Sequence, residues 1–286
     1  MRPPYITDQF LNQFVQASLA EDVGDGDHTT RAVIEDKKRT SARLLIKEPG
    51  VLAGVDLAVE IFCRYDPSLS VNVLRGDGST VVPGDVAFTV DGTARSILTT
   101  ERLVLNCMQR MSAIATLTNK LVKLIAGTDS SVLDTRKTSP GFRAMEKWAV
   151  VIGGGKNHRM GLYDMVMLKD NHIDMAGGVK EAINRAKAYL RASKLDLKIE
   201  IEVRNLSEVK QVLECDGVDV VMLDNMSLPE MSEAVRLING RCRTEASGSI
   251  TEQTIREVAN CGVDFISVGA ITHSAKSLDM SLKVIS

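Results

Sequence analysis

The feature that most restricts this chain is a regular alternation that begins after Gly127 and runs almost to the last residue. Short apolar runs at 131–133, 165–168, 198–203, 218–223, 242–246 and 265–268 have the length and β-branched content of buried strands. Between them, 179–192, 206–214, 229–238 and 251–259 carry helical periodicity, the third opening on Pro229 and Glu230 as helix starts favour. Successive β/α units with short connections predict a parallel sheet, and six strands are enough to approach a closed barrel.

The residues before Gly127 follow another pattern. Phe10, Leu11, Phe14, Val15 and Leu19 fall on one helical face over 7–19, with Thr7 or Asp8 as the cap. Segments 41–47, 71–74 and 85–91 read as short strands separated by the turn signals Pro49-Gly50, Gly76-Asp77-Gly78 and Pro83-Gly84. This predicts an α+β domain. Gly-Asp-Gly followed by Val-Pro-Gly-Asp also occurs in hairpin sandwiches that carry biotin or lipoate, but those need a lysine at an exposed tip and residues 75–94 contain none. A long helix is predicted over 99–126 from Leu103, Cys107, Met111, Ile114, Leu121 and Ile125, with Thr99 or Thr100 as cap and Gly127 as terminator. Arg102 then falls in the first turn, where a cation opposes the helix dipole by some tenths of a kcal/mol. That misfit hints at another role.

At 286 residues, 44% of them hydrophobic and 25% charged, the chain can bury a large core without disulfides or structural metal. A net charge of −2 gives no support to nucleic-acid binding through a globally basic surface. The cysteines at 63, 107, 215, 242 and 261 are odd in number, scattered and free of any CxxC pair, which suits a reducing compartment. The opening MRPPYITDQF lacks signal-peptide character, and no uncharged run approaches the roughly 20 residues of a membrane span. The expected location is the cytoplasm, with no membrane and no nucleic-acid partner.

Chemistry concentrates where the predicted strands end. Between Leu133 and His172 stand Arg136, Lys137, Arg143, Lys147, Lys156, His158, Arg159, Lys169 and His172, against only Asp134, Glu146, Asp164 and Asp170. The strand ends deliver in turn Asp134, Arg136 and Lys137; Lys169 and Asp170; Glu202 and Arg204; Asp224 and Asn225; Ser247 and Gly248; and Gly269. Barrel enzymes build their sites at that end. Ser247-Gly248-Ser249 and Val268-Gly269-Ala270 suit a phosphate held on backbone N–H groups. Glu202 and Asp224 suit hydroxyls or a divalent ion that keeps its waters, magnesium with a pyrophosphate being the natural fit. Arg136, Lys137, His158, Arg159 and Lys169 are left to hold carboxylates. An aldolase-like reading, with Lys169 as a Schiff base, is the alternative from a different enzyme class. His158 beside Arg159 is expected to face the ligand, whereas His28, His172 and His273 are read as structural hydrogen-bonders and Trp148 as core. Met108, Met111 and Ile114 pack internally or form a dimer contact; spacing does not separate the two.

In chain order, EDVGDGDHTT, ERLVLNCMQRMSAIAT, DTRKTSPG, GGGKNHRMGL, LKDNH, IEVRN, MLDN, EASGSI and SVGAITHS closely resemble the quinolinate phosphoribosyltransferases, decarboxylating enzymes of NAD biosynthesis. The resemblance spans nearly the whole chain. It implies an α/β fold with an N-terminal sandwich domain over 1–112, onto which 274–286 packs back, and an incomplete α/β barrel of the type II phosphoribosyltransferase kind over 113–273. It implies a homodimer with a shared active site, a hexamer built of three dimers being equally compatible. The substrates would be quinolinate and phosphoribosyl pyrophosphate, with Mg2+. Arg102 would reach quinolinate across the subunit interface, beside a carboxylate cluster of Arg136, Lys137, His158, Arg159 and Lys169. Glu202 and Asp224 would contact ribose hydroxyls and magnesium, and Ser247, Gly248 and Gly269 the 5′-phosphate. Lys137, Lys169, Glu202 and Asp224 are the catalytic candidates. One departure is Ser249, where the family commonly has glycine. A paralogous phosphoribosyltransferase with another acceptor is the competing reading.

Overall fold

The computed structural model describes residues 2–285. In chain order the elements are α1 (Asp8–Val23), α2 (His28–Val33), β1 (Arg39–Ile46), β2 (Gly50–Val51), α3 (Val55–Tyr65), β3 (Ser70–Val73), β4 (Thr80–Val81), β5 (Val86–Thr93), α4 (Ala94–Leu124), β6 (Ser131–Leu133), α5 (Arg143–Ile152), β7 (Val166–Leu168), α6 (Asp170–Ala176), α7 (Val179–Ser193), β8 (Ile199–Val203), α8 (Leu206–Leu213), β9 (Val220–Asp224), α9 (Leu228–Ile238), β10 (Arg243–Ser247), α10 (Ile255–Asn260), β11 (Phe265–Ser267), α11 (Ala270–His273) and β12 (Met280–Ile285). They form two units. The first comprises Met1–Asn119, Ser139–Gly154 and Ser274–Ser286; the second comprises Lys120–Thr138 and Gly155–His273. Among the described residues no helix is long and apolar enough to cross a membrane.

In the first unit, a four-stranded sheet of order β12-β1-β5-β3 is antiparallel throughout. Period-two alternation buries Ala42, Leu44 and Ile46 on β1 while their neighbours stay more exposed. The amphipathic face of α3 buries Val55, Leu57, Ala58, Ile61 and Phe62, and Phe62 meets Phe88 of β5 edge-on with ring centroids 5.9 Å apart. Gly54 offers α3 no side-chain cap. Asp77 does so from a distant turn, accepting from Val55 N–H at 2.8 Å. Thr7 caps α1 by accepting from Phe10 N–H at 3.1 Å. Met108, Met111 and Ile114 of α4 are fully buried within the chain, as is Trp148 on α5 at 1% exposure.

In the second unit, all strands are parallel in the order β6-β11-β10-β9-β8-β7. Consecutive strands are neighbours from β7 to β11, and β6 joins beside β11, so the sheet winds as a barrel that stays open between β6 and β7. Lys156 forms a single parallel bridge to Leu133 on β6. Helices α7, α8 and α9 bury one apolar stripe each, among them Ile183, Val209 and Ala234. Their starts are chemically marked: Asn205 caps α8, and Ser227 with Glu230 forms a capping box on α9.

Three sequence expectations change. Helix α4 starts at Ala94, directly after β5, not near Thr99. Thr100 is an interior residue whose hydroxyl bonds back to the Ser96 carbonyl at 2.7 Å, so it only mimics a cap. Arg102 therefore lies beyond the first turn, and its supposed conflict with the helix dipole disappears. Helix α10 begins at Ile255, because Thr251 to Thr254 form a separate turn closed by Thr251 N–H to Thr254 Oγ1 at 3.0 Å. Helices α5 and α6 were not foreseen.

Candidate active site

Because the strands are parallel, their carboxyl ends open on one side, and a cavity of about 850 Å³ lies there within the second unit. Its wall takes Asp134, Arg136 and Lys137 from the loop after β6, His158 and Arg159 from the loop before β7, and Lys169 after β7. Glu202, Asp224, Ser247, Gly248 and Gly269 come from the ends of β8 to β11. The structure thus gathers every sequence-predicted site residue of this unit. Arg102 is exposed on α4 in the first unit and is not part of this lining.

The loops are shaped by backbone requirements. A Cβ on Gly248, whose φ is +99°, would fall 2.2 Å from Asn225 Oδ1, so only glycine fits. Asn225 in turn donates from Nδ2 to Asp224 Oδ2 at 2.7 Å. Ser249 follows with φ +51°, the left-handed region that costs a side chain roughly 1–2 kcal/mol. Thr272 Oγ1 donates to the Lys137 carbonyl at 2.8 Å and ties the loop after β6 to α11.

Charges of both signs share the cavity. Lys169 Nζ lies 3.8 Å from Glu202 Oε2. Burial first, and then the charge of Asp224, push the Glu202 pKa above the ordinary carboxylate value, with Lys169 opposing. Burial and the neighbouring charge of Arg136 lower that of Arg159. Two carboxylates facing one cavity, made of hard oxygen donors, are the set a small divalent cation neutralises. Glu202 and Asp224 therefore fit magnesium.

A second cluster was missed from sequence. His158 Nε2 is 2.9 Å from Glu200 Oε2 and 3.4 Å from Glu245 Oε2. Both glutamates are almost completely buried, at 0% and 1% exposure. Burial disfavours a charged imidazole, but the two carboxylates outweigh it and lift His158 to about 10. Burial likewise raises Glu200. The Arg159 N–H donates to His158 Nδ1 at 2.7 Å, so in this geometry the ring proton sits on Nε2. The backbone here is pinned as well, with His158 N–H donating to buried Asp134 Oδ1 at 2.9 Å and Asn157 Nδ2 to Oδ2 at 2.6 Å. The signal was present: Glu200 and Glu202 stand at i and i+2 in IEIEV, and Glu245 two residues before Ser247, positions that period two places on one strand face. His172 is structural as expected, its Nδ1 accepting from Lys169 N–H at 2.9 Å. His273, read as structural, lines the cavity.

Comparison with known proteins gives the same assignment along the whole chain. Residues 27–112 match the model of the quinolinate phosphoribosyl transferase N-terminal domain, and residues 114–283 that of the C-terminal domain. A quinolinate phosphoribosyltransferase [decarboxylating] of Nicotiana tabacum is 47% identical, covering 99% of this chain and 85% of its own. A chloroplastic nicotinate-nucleotide pyrophosphorylase [carboxylating] of Arabidopsis thaliana is 46% identical over the same shares. The nicotinate-nucleotide pyrophosphorylase structure from Francisella tularensis superposes with a TM-score of 0.89 at 40% identity, covering 100% of this chain and 99% of that one. By these matches, and by the strand-end cavity they share a fold with, the chain belongs to the quinolinate phosphoribosyltransferase family.

Proposed function

We propose that this protein transfers the phosphoribosyl group of phosphoribosyl pyrophosphate to quinolinate with decarboxylation, yielding nicotinate mononucleotide, pyrophosphate and CO2, a step of NAD biosynthesis. The observation that carries the reading is one cavity in which Arg136, Lys137, Arg159 and Lys169 meet Glu202, Asp224 and the glycine-bearing ends of β10 and β11. A dicarboxylate acceptor and a polyphosphate donor need that combination, because each brings several negative charges that must be held close together.

In this reading Arg136, Arg159, His158 and Lys169 bind the quinolinate carboxylates, and Ser247, Gly248 and Gly269 seat the 5′-phosphate on backbone N–H groups. Glu202 and Asp224 hold the ribose hydroxyls and Mg2+. When bound, the cation neutralises charge on the departing pyrophosphate. The pyridine nitrogen donates its lone pair to C1 of the ribose as the C1–O bond breaks, and that electron pair leaves with pyrophosphate, stabilised by Lys137. The bond from C2 to its carboxylate then breaks, leaving its electrons beside the pyridinium nitrogen until C2 takes up a proton. Positioning and fixed charge supply the catalysis, with no covalent nucleophile and no general-base role for His158.

A homodimer belongs to the same reading, with Arg102 of the partner subunit completing each site. Its support is that Arg102 is a cation exposed on α4 within the motif that carries the resemblance. Domain limits at 1–112 with 274–286, and at 113–273, are read alongside. So is a cytoplasmic location, on the five free cysteines. The test is an assay with phosphoribosyl pyrophosphate and magnesium, offering quinolinate and nicotinate separately. Nicotinate mononucleotide from quinolinate alone, with CO2 in equal amount, is the expected result. Failure with both acceptors, from folded protein that still binds the donor, would move the function to a paralogous acceptor. Mixing Arg102→Ala and Lys169→Ala chains should restore activity through hybrid dimers if the site is shared.

A further inference from the structure

Glu200 and Glu245 sit on the inner face of a parallel sheet, where side chains are ordinarily apolar. Glu200 is opposite Met167 on β7, and Glu245 opposite Met222 on β9. Among the described residues no hydrogen-bond donor reaches Glu200 apart from the ion-pair approach of His158, although the carboxylate is fully buried. Such a group is costly unless it performs a task, because the apolar alternative would be neutral or stabilising. What it touches is the imidazole whose other nitrogen holds the backbone of Arg159. Arg159 is itself buried, its guanidinium donating to the Met165 carbonyl at 3.3 Å. The dipeptide His158-Arg159 is therefore gripped from two sides, by Asp134 at the backbone and by the two glutamates at the ring.

We propose that Glu200 and Glu245 are positioning residues for the acceptor half of the cavity: they clamp the His158 imidazole, and through it the Arg159 backbone, in the arrangement that reads the quinolinate carboxylates. The proposal rests on the transferase reading above. Glu200 lies outside the cavity lining, while Glu245 reaches the cavity wall on β10 beneath Ser247. Each acts through His158, so its removal disturbs recognition of the dicarboxylate and spares the donor, whose phosphates are seated at β10 and β11.

The test uses the full-length protein and the isosteric variants Glu245→Gln and Glu200→Gln, with His158→Asn as the reference. For Glu245→Gln the KM for quinolinate should rise about tenfold, with the KM for phosphoribosyl pyrophosphate and the melting temperature unchanged. In the His158→Asn background, Glu245→Gln should add nothing further, since both act through one ring. Nitrogen-15 NMR of labelled histidines should show a proton on His158 Nε2 in the wild type and a displaced Nε2 resonance in Glu245→Gln. Equal rises in both KM values, or additive losses in the double variant, would overturn the proposal. So would an unchanged His158 Nε2 resonance. Because the three side chains offer ligand atoms within 4.8 Å of one another, metal analysis of the purified protein is included. One equivalent of bound metal that is lost in Glu245→Gln would replace the clamp with a metal centre. A wild type that turns over neither acceptor overturns the transferase reading, whereas the NMR result judges the clamp independently.

Discussion

Glu146 in the first unit and Glu200 in the second are both fully buried glutamates, and the two units treat them differently. Glu146 receives the Arg110 guanidinium at 2.9 Å and the Ser139 hydroxyl at 2.9 Å, with the Ser139 N–H at 3.2 Å. Among the described residues, Glu200 receives only a histidine shared with a second glutamate. In the first unit a buried charge is compensated until it is structural. In the second it is left under-compensated beside a cavity that must bind anions, which is how a functional charge differs from a structural one.

The comparison can be broken most forcefully at Arg110. Arg110→Ala leaves Glu146 buried without its cation and should cost about 3–5 kcal/mol of unfolding free energy in urea, with turnover per folded molecule retained. A loss below about 1 kcal/mol would mean that Glu146 is no better supported than Glu200. Asp77 sharpens the same contrast through pH. Burial raises its pKa from 3.8 to about 6, outweighing the α3 backbone N–H groups that favour ionisation. The native state then binds the extra proton, so this contribution is full below pH 3.8, falls as pH rises and is gone above about 6. The difference in unfolding free energy between wild type and Asp77→Asn should change by at most about 3 kcal/mol across that window. A flat difference would show that the N–H groups win.

In the second unit the damage should fall on binding instead. Arg159→Ala removes a charge-assisted contact and should weaken quinolinate by about 1.5–3 kcal/mol, read as KM, without lowering urea stability. Equal loss in both measures would make Arg159 a structural residue after all. The smallest effect is expected at Ser249, whose left-handed backbone suits glycine. Ser249→Gly should stabilise by about 1 kcal/mol or less, because the added chain freedom offsets part of the relief. Its effect on the KM for phosphoribosyl pyrophosphate tells whether the hydroxyl contributes to the phosphate loop.

Much of this was legible in the sequence because parallel strands announce their ends. Leu133 to Asp134, Leu168 to Lys169 and Leu223 to Asp224 each change from apolar to charged in one step, at the position where the strand leaves the sheet. Glu200 and Glu245 carry no such step. They lie inside strands, where a single polar residue is indistinguishable from a solvent-facing one until the sheet is known to be covered on both sides. The start of α4 was hidden by local chemistry: Ser96, Thr99 and Thr100 offer several cap-like residues, and only the preceding strand decides between them. Arg102 shows the converse. Its motif suggested a role, while the helix-dipole argument used to support that role does not hold.

The four-stranded sheet also carries a lesson about assembly. Strand β12 pairs with β1 from Ser41 opposite Ile285 to Ile46 opposite Met280, so contacts that close this sheet join opposite ends of the chain. Such pairing has a high contact order and is slow, because a long loop must close before it is rewarded. During synthesis, β1 emerges early and gains β5 on one edge, but its other edge waits for nearly the whole polypeptide before β12 exists. The strands from β7 to β11, each paired with its neighbour in sequence, face no such delay; only β6, which pairs with β11, shares it. The first unit to be translated is therefore the last to be finished, and until then the β1 edge is a place where chaperones can act or misassembly can begin.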